Sequence, residues 1–259
     1  MIYIIITIAL LLIIYLSLKK EKKSQEVVNK IEIKEHWYTI LEENVLFYQK
    51  LDAQQRLHFK KRIQSFLNSV EIVAVDFELE DLDILLVASS AVIPVFGFNN
   101  WMYPNLKTVI IYPDYFNENL EFAAKSDNKI IGGLVGNGMF ENKMILSRRA
   151  LHHGFLNKTD KGNTGIHEFV HLLDKLDGNI DGIPKALIDN ENLLQWLDVV
   201  HDKMEAINND DSDIRNYGGT SKEEFFAVAS EYFFERPKLL QRKHPDLYKM
   251  LHDCFNIES

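Results

Sequence analysis

The sequence predicts an α+β domain with a helical N-terminal part, preceded by an N-terminal transmembrane helix. Three observations carry this: an uncharged apolar run over residues 1–18, apolar residues at helical spacing over 33–70, and two β-rich runs at 108–112 and 143–148. With 259 residues, 46% hydrophobic and 26% charged, the chain can bury one substantial core. The expected organisation is an anchor over 1–18, a polar tether over 19–31 and one main domain over 32–259.

Twelve of the first 18 residues are Ile or Leu, and none is charged. A helix of that length spans about 27 Å, near the hydrocarbon thickness of a bilayer. Lys19, Lys20, Lys22 and Lys23 follow the apolar run. A cleaved signal peptide would carry its positive charge ahead of the run and a small-residue cleavage site after it. The expectation is therefore a retained single-pass anchor, with the positive flank and the domain after it on the cytoplasmic side. The Lys, Glu, Ser and Gln content of 19–31 suits a solvated tether.

Between 33 and 70, Trp37, Ile40, Leu41, Val45, Leu46, Tyr48, Leu51, Leu57, Phe59, Ile63 and Phe66 predict two core-packing helices. Glu80, Asp81 and Asp83 open a mostly apolar stretch to Val95 that reads as a buried helix, with Pro94 near its end. Gly132, Gly133, Gly136 and Gly138 lie between the two strands. No Lys-Ser or Lys-Thr pair follows them, so they read as a flexible hairpin or turn and not as a phosphate loop. A net charge of −9 argues against direct nucleic-acid binding. The single cysteine, Cys254, excludes an internal disulfide.

The chemistry concentrates in residues 164–174. Asn163 or Thr164 can cap a helix and Gly178 can end it, and that helix carries His167-Glu168-Phe169-Val170-His171. Residues four apart are about 400° apart around a helix, so both imidazoles can reach one ion. Zn(II), one per chain, suits two imidazoles and a carboxylate and makes water a nucleophile near neutral pH. Glu168 is then the general base of a peptide hydrolysis. Ile166, Phe169, Val170, Leu172 and Leu173 imply that the helix is buried, where imidazoles and a carboxylate need partners.

Two schemes supply a third ligand. In the extended motif, a glycine and a histidine follow at places held here by Asp174 and Asp177, so Asp177 is one candidate. The other is a carboxylate from a later helix over 221–234, where Ser221 and Glu224 fit a capping box. Glu224 and Glu231 are seven residues apart and face almost the same way, which leaves both open.

The segments His167-Glu168-Phe169-Val170-His171 with Leu173-Asp174, Tyr217, and Glu224-Phe225-Phe226-Ala227-Val228 with Ser230-Glu231-Tyr232-Phe233-Phe234 resemble the Mlc titration factor A family of bacterial zinc peptidases. Weaker similarity in 109–113 and 144–147 extends the resemblance over roughly 37–250, leaving the apolar N-terminus outside it. The family is similar to the catalytic domain of anthrax lethal factor. The resemblance implies a zincin-like α+β metallopeptidase domain, aminopeptidase-type activity, and a transcription regulator of glucose transport as partner beside a peptide or protein substrate. By position it implies Glu224 as third ligand and Tyr217 as donor to the transition state, leaving Glu231 to accept from a ligand histidine. Some members place a further histidine, a blocking ligand, where this chain has Lys107; His152 and His153 are the substitutes on offer, read as a loop pair. The run 143–148 is expected to pair with the substrate backbone. The competing expectation is a membrane-tethered regulatory binding protein whose zinc is structural or vestigial.

Overall fold

The computed structural model describes residues 33–98, 103–117, 131–136, 141–157 and 159–255. The anchor and tether expected over 1–31 lie outside them. No helix among the described residues is long and apolar enough to cross a membrane, which corrects the expectation of a membrane-anchored single-pass protein and of a membrane partnership. What misled was hydropathy alone: an apolar run of 18 residues is a span candidate by length, and length says nothing of the structure around it.

The architecture is α+β. Helices α1 (Trp37–Asn44), α2 (Leu46–Gln49) and α3 (Ala53–Leu67) precede strand β1 (Glu71–Ala74), and α4 (Asp81–Val92) follows it. The expected pair of helices over 33–70 is thus two helices joined by a one-turn segment. Asp52 starts α3 with a capping box in which its carboxylate accepts from Gln55 N at 2.8 Å and the Gln55 side chain accepts from Asp52 N at 3.0 Å. Leu57, expected in the core, is 51% exposed on α3, while Phe59, Ile63, Phe66 and Leu67 turn inward. α4 is buried over most of its length and ends in a 3₁₀ turn that contains Pro94, whose missing N–H cannot continue an α-helix.

Strands β2 (Thr108–Tyr112), β3 (Gly133–Val135) and β4 (Lys143–Ser147) complete a four-stranded sheet of order β1-β2-β4-β3. The first three run parallel, with Val109 opposite Met144 and Ile111 opposite Leu146, all four buried. β3 is antiparallel to β4. β4 is therefore bonded on both sides, which corrects the expectation that 143–148 offers an edge to substrate. Among the described residues the edge beside β4 is β3, cut from the glycine-rich stretch that reads in sequence as a turn.

Arg148 begins α5 (Arg148–Leu156), which is followed by α6 (Thr164–Asp174), α7 (Leu193–Asn208), α8 (Lys222–Glu235), α9 (Pro237–Lys243) and α10 (Pro245–Cys254). α6 is the centre of the domain: it packs on α8, α4, α5 and β3, and every residue from Gly165 to Asp174 is buried. α8 buries Phe225 through Phe234 in the same core.

The segment before α8 is held by Asp213. Its carboxylate accepts from Lys161 Nζ at 2.6 Å, His244 Nε2 at 2.7 Å, Tyr232 Oη at 2.9 Å and lies 3.1 Å from Lys243 Nζ. Burial alone would raise its pKa, but these four partners outweigh burial and hold the carboxyl well below the usual range. A depressed folded pKa contributes stability above the unfolded value of about 4 and loses it as pH falls through the folded one. Asp213→Asn is expected to cost about 1–3 kcal/mol at pH 7, and its gap from the wild type is expected to narrow at pH 3. Urea unfolding of both proteins at the two pH values, with chelator present, checks this; a gap independent of pH would refute it.

Candidate metal centre

Asn163 opens α6 as its N-cap, with Oδ1 accepting from Ile166 N at 3.1 Å. The helix ends in a 3₁₀ turn, Lys175–Asp177, closed by Gly178 at φ +100°, a left-handed conformation that suits glycine. Between these stops His167, Glu168 and His171 are all buried. The two rings meet edge to face with centroids 4.7 Å apart, and their Nε2 atoms are 3.1 Å apart.

α8 supplies the carboxylates. Ser221 Oγ accepts from Glu224 N at 3.4 Å, but the Glu224 side chain does not return the bond, so only half of the expected capping box forms. Glu224 is turned into the cleft instead. Its Oε1 accepts from Tyr217 Oη at 2.8 Å, and its Oε2 lies 3.1 Å from His167 Nε2 and 3.6 Å from His171 Nε2. Two turns further on, Glu231 is buried. Its Oε1 faces His167 Nδ1 at 2.8 Å and accepts from Arg215 Nη2, while Oε2 accepts from Asn163 N.

His167, His171 and Glu224 are the group of donors among the described residues that could hold a metal, each offering one atom within 4.8 Å of the others. The fit is close. Four ligands at zinc bond lengths sit about 3.3 Å apart at tetrahedral corners, against 3.1, 3.1 and 3.6 Å here. Glu224 Oε2 is buried and makes no hydrogen bond among the described residues although two imidazoles face it, the state expected of an atom aimed at an ion.

The electrostatics agree. Burial would lower the His167 pKa, but the negative charges of Glu231 and Glu224 push it up to about 10. Burial would raise Glu224, yet the two histidines hold it below the usual carboxylate range. Three carboxylates thus demand positive charge at this point, which a divalent cation supplies with both imidazoles neutral. Burial first, then Glu224, pushes the Tyr217 hydroxyl up, so it stays protonated at neutral pH. Burial raises Glu168 as well, opposed by the two histidines.

The cleft over these residues holds about 500 Å³. Leu134 and Val135 of β3, Ile180, Arg215, Tyr217 and Glu223 wall it. Tyr217 stacks on His167 with ring centroids 6.0 Å apart. Asp174 and Asp177 are not in the donor group, so the ligand scheme with Asp177 is set aside. His152 and His153 lie on α5, not in a loop, and the His152 ring is taken by Asp83 at 2.6 Å; neither joins the donor group. Lys107 sits before β2 and is exposed, outside the cleft wall.

Two cleft residues escape a reading of the sequence. Gly133 packs against Glu168 so closely that a Cβ there would lie 2.5 Å from Glu168 Cγ and 2.6 Å from its Oε1. Glycine inside a strand marks such an approach, and the Gly132-Gly133 doublet before Leu134-Val135 was the available signal. Arg215 comes from an acidic, aperiodic stretch that offers no signal.

Comparisons with known proteins point to a family of metallo-peptidases. Residues 18–256 match the model of the glucose-regulated metallo-peptidase M90 family. The protein slr2042 of Synechocystis sp. is 30% identical over 86% of this chain and 84% of its own length. Mlc titration factor A of Pectobacterium atrosepticum is 24% identical over 87% and 85%, and that of Salmonella gallinarum 26% over 77% and 78%. With the match running through the sheet, α6 and α8, the chain belongs to the glucose-regulated metallo-peptidase M90 family.

Proposed function

We propose that this protein is a zinc-dependent peptidase in which His167, His171 and Glu224 hold the ion and Glu168 is the general base. The observation that carries the reading is the triangle of His167 Nε2, His171 Nε2 and Glu224 Oε2, sized for zinc, beside a buried glutamate on an open cleft. A zinc ion bound there supplies the Lewis acid that polarises the scissile carbonyl and acidifies the attacking water. Glu168, made more basic by burial, takes the proton of that water and delivers it to the leaving amine. Tyr217, kept protonated, donates to the developing oxyanion. In the β3–β4 ladder Gly132 O and Gly136 N bond to β4, so alternation turns the backbone groups of Gly133 and Val135 toward the opposite edge; there Phe116 pairs with Ile131, and beyond that bridge no described strand pairs with β3, which leaves room for an extended peptide.

The test is metal analysis together with hydrolysis of internally quenched peptides. Aminoacyl nitroanilides run in parallel decide whether the aminopeptidase-type activity implied by the family resemblance applies. About one zinc per chain and peptide cleavage are expected; full activity in metal-free protein would end the proposal.

Gly133→Ala is expected to keep zinc while lowering kcat/KM about 100-fold, because a Cβ displaces Glu168 and an ångström of misplacement costs about that much. Unchanged kcat/KM would show that Glu168 does not work from its position against β3.

The name carried by several relatives supports a second reading, in which this chain binds a transcription regulator of the Mlc kind and its metal is structural. In that case regulator binding survives Glu168→Gln and no peptide is cleaved by the wild type.

A further inference from the structure

We infer that Asp174 is the positioning residue for His171, accepting from the ring nitrogen that faces away from the ion, as Glu231 does for His167. The inference rests on the metal-centre reading above. It starts from two buried atoms. Among the described residues neither His171 Nδ1 nor Asp174 Oδ1 has a hydrogen-bond partner, and both belong to α6. They are three residues apart, the spacing at which side chains on a helix are neighbours. A buried donor and a buried acceptor three residues apart on one helix are each costly to leave unmade, and one bond, direct or through a single water, satisfies both.

The asymmetry between the two histidines makes the same point. His167 has Glu231 at 2.8 Å on Nδ1 and offers Nε2 to the metal. His171 also offers Nε2 toward the centre, and no described residue hydrogen-bonds its Nδ1. A ligand histidine ordinarily donates its second N–H to a carboxylate, carbonyl or water, which fixes the tautomer that leaves the other nitrogen free to ligate. Asp174 is the buried carboxylate three residues along the same helix, and it is 1% exposed.

The other oxygen of Asp174 extends the role. Oδ2 accepts from Gly182 N at 2.8 Å. Gly182 is at φ +72° and lies so close to α8 that a Cβ would run into the Lys222 carbonyl. The turn that Asp174 holds is thereby pressed against the backbone two residues before Glu224. One carboxylate braces both His171 and the start of the helix that carries the third ligand.

The experiment measures zinc affinity of the full chain by chelator competition, alongside thermal unfolding of the metal-free protein. Asp174→Asn keeps the shape and an oxygen for Gly182 N–H, but puts an amide donor toward His171, favouring the tautomer that cannot ligate through Nε2. Its zinc dissociation constant is expected to rise about 10- to 100-fold, with no fall in the unfolding midpoint of the metal-free form. Asp181→Asn, which removes the same charge from the following loop, is expected to stay within about twofold of the wild type, a change too small to reflect a lost brace. Wild-type affinity in Asp174→Asn, or equal weakening in Asp181→Asn, would overturn the assignment, as would a loss of affinity matched by loss of the metal-free fold. ¹⁵N spectra of the zinc-loaded wild type need no variant: a hydrogen-bonded Nδ1–H on His171 is expected, and a solvent-exchanging one refutes the inference. A wild type that binds no zinc at all would remove the metal centre itself and this role with it.

Discussion

Glu168→Gln is expected to retain about one zinc per chain while kcat/KM for peptide cleavage falls about 10²- to 10⁴-fold. The size follows from what is removed. Glutamine has nearly the shape of glutamate, so α6 and its contacts with β3 persist, and Glu168 is not among the donors that could hold the ion. What goes is the proton acceptor, and an amide cannot replace it. Because Glu168 is 5% exposed, no bulk-solvent base reaches the same position easily. Zinc per chain by elemental analysis and kcat/KM on one quenched peptide decide the matter together. Activity within tenfold of the wild type would mean that Glu168 is not the base. Activity lost together with zinc would mean that it holds the centre together, as a ligand or a fold contact.

Much of this centre could be read from residue spacing because helices make spacing equivalent to direction. His167 and His171 at i and i+4, Asn163 before them and Gly178 after them define a buried helix without reference to anything else, and α6 occurs between those stops. β2 likewise spans the apolar run at 108–112. The failures are of two physical kinds. Where direction depends on tertiary neighbours, sequence is silent: Leu57 has the right spacing for the core but rides on the exposed side of α3, and β4 looks like any strand until β3 is placed beside it. Short elements carry too few residues for a period to show, and β1 and β3, at four and three residues, are of this kind. Gly133 combines both, a turn-former by composition that is a strand residue by its packing against Glu168.

The choice between Glu224 and Glu231 shows how far direction alone goes, and it yields the other large expected effect. Seven residues turn a helix through about 700°, so the two carboxylates share a face and differ by two turns, about 10.5 Å along the axis. Both in fact touch His167, on opposite nitrogens: Glu224 Oε2 is 3.1 Å from Nε2, and Glu231 Oε1 is 2.8 Å from Nδ1. Only the Nε2 side also has His171, with Glu224 Oε2 at 3.6 Å from its Nε2. The oxygens of Glu231 are already occupied by Asn163 N–H, Arg215 and His167. Glu224→Ala therefore deletes one of the three proposed ligands, and zinc affinity is expected to fall on the order of 10³-fold. Glu231→Gln keeps all three ligands and loosens the ring of one, so a fall of about 10- to 100-fold is expected with the ion still bound in excess zinc. Chelator competition on both variants measures the two numbers directly. Zinc retained in Glu224→Ala and lost from Glu231→Gln would reverse the assignment and place the ion on the other side of His167.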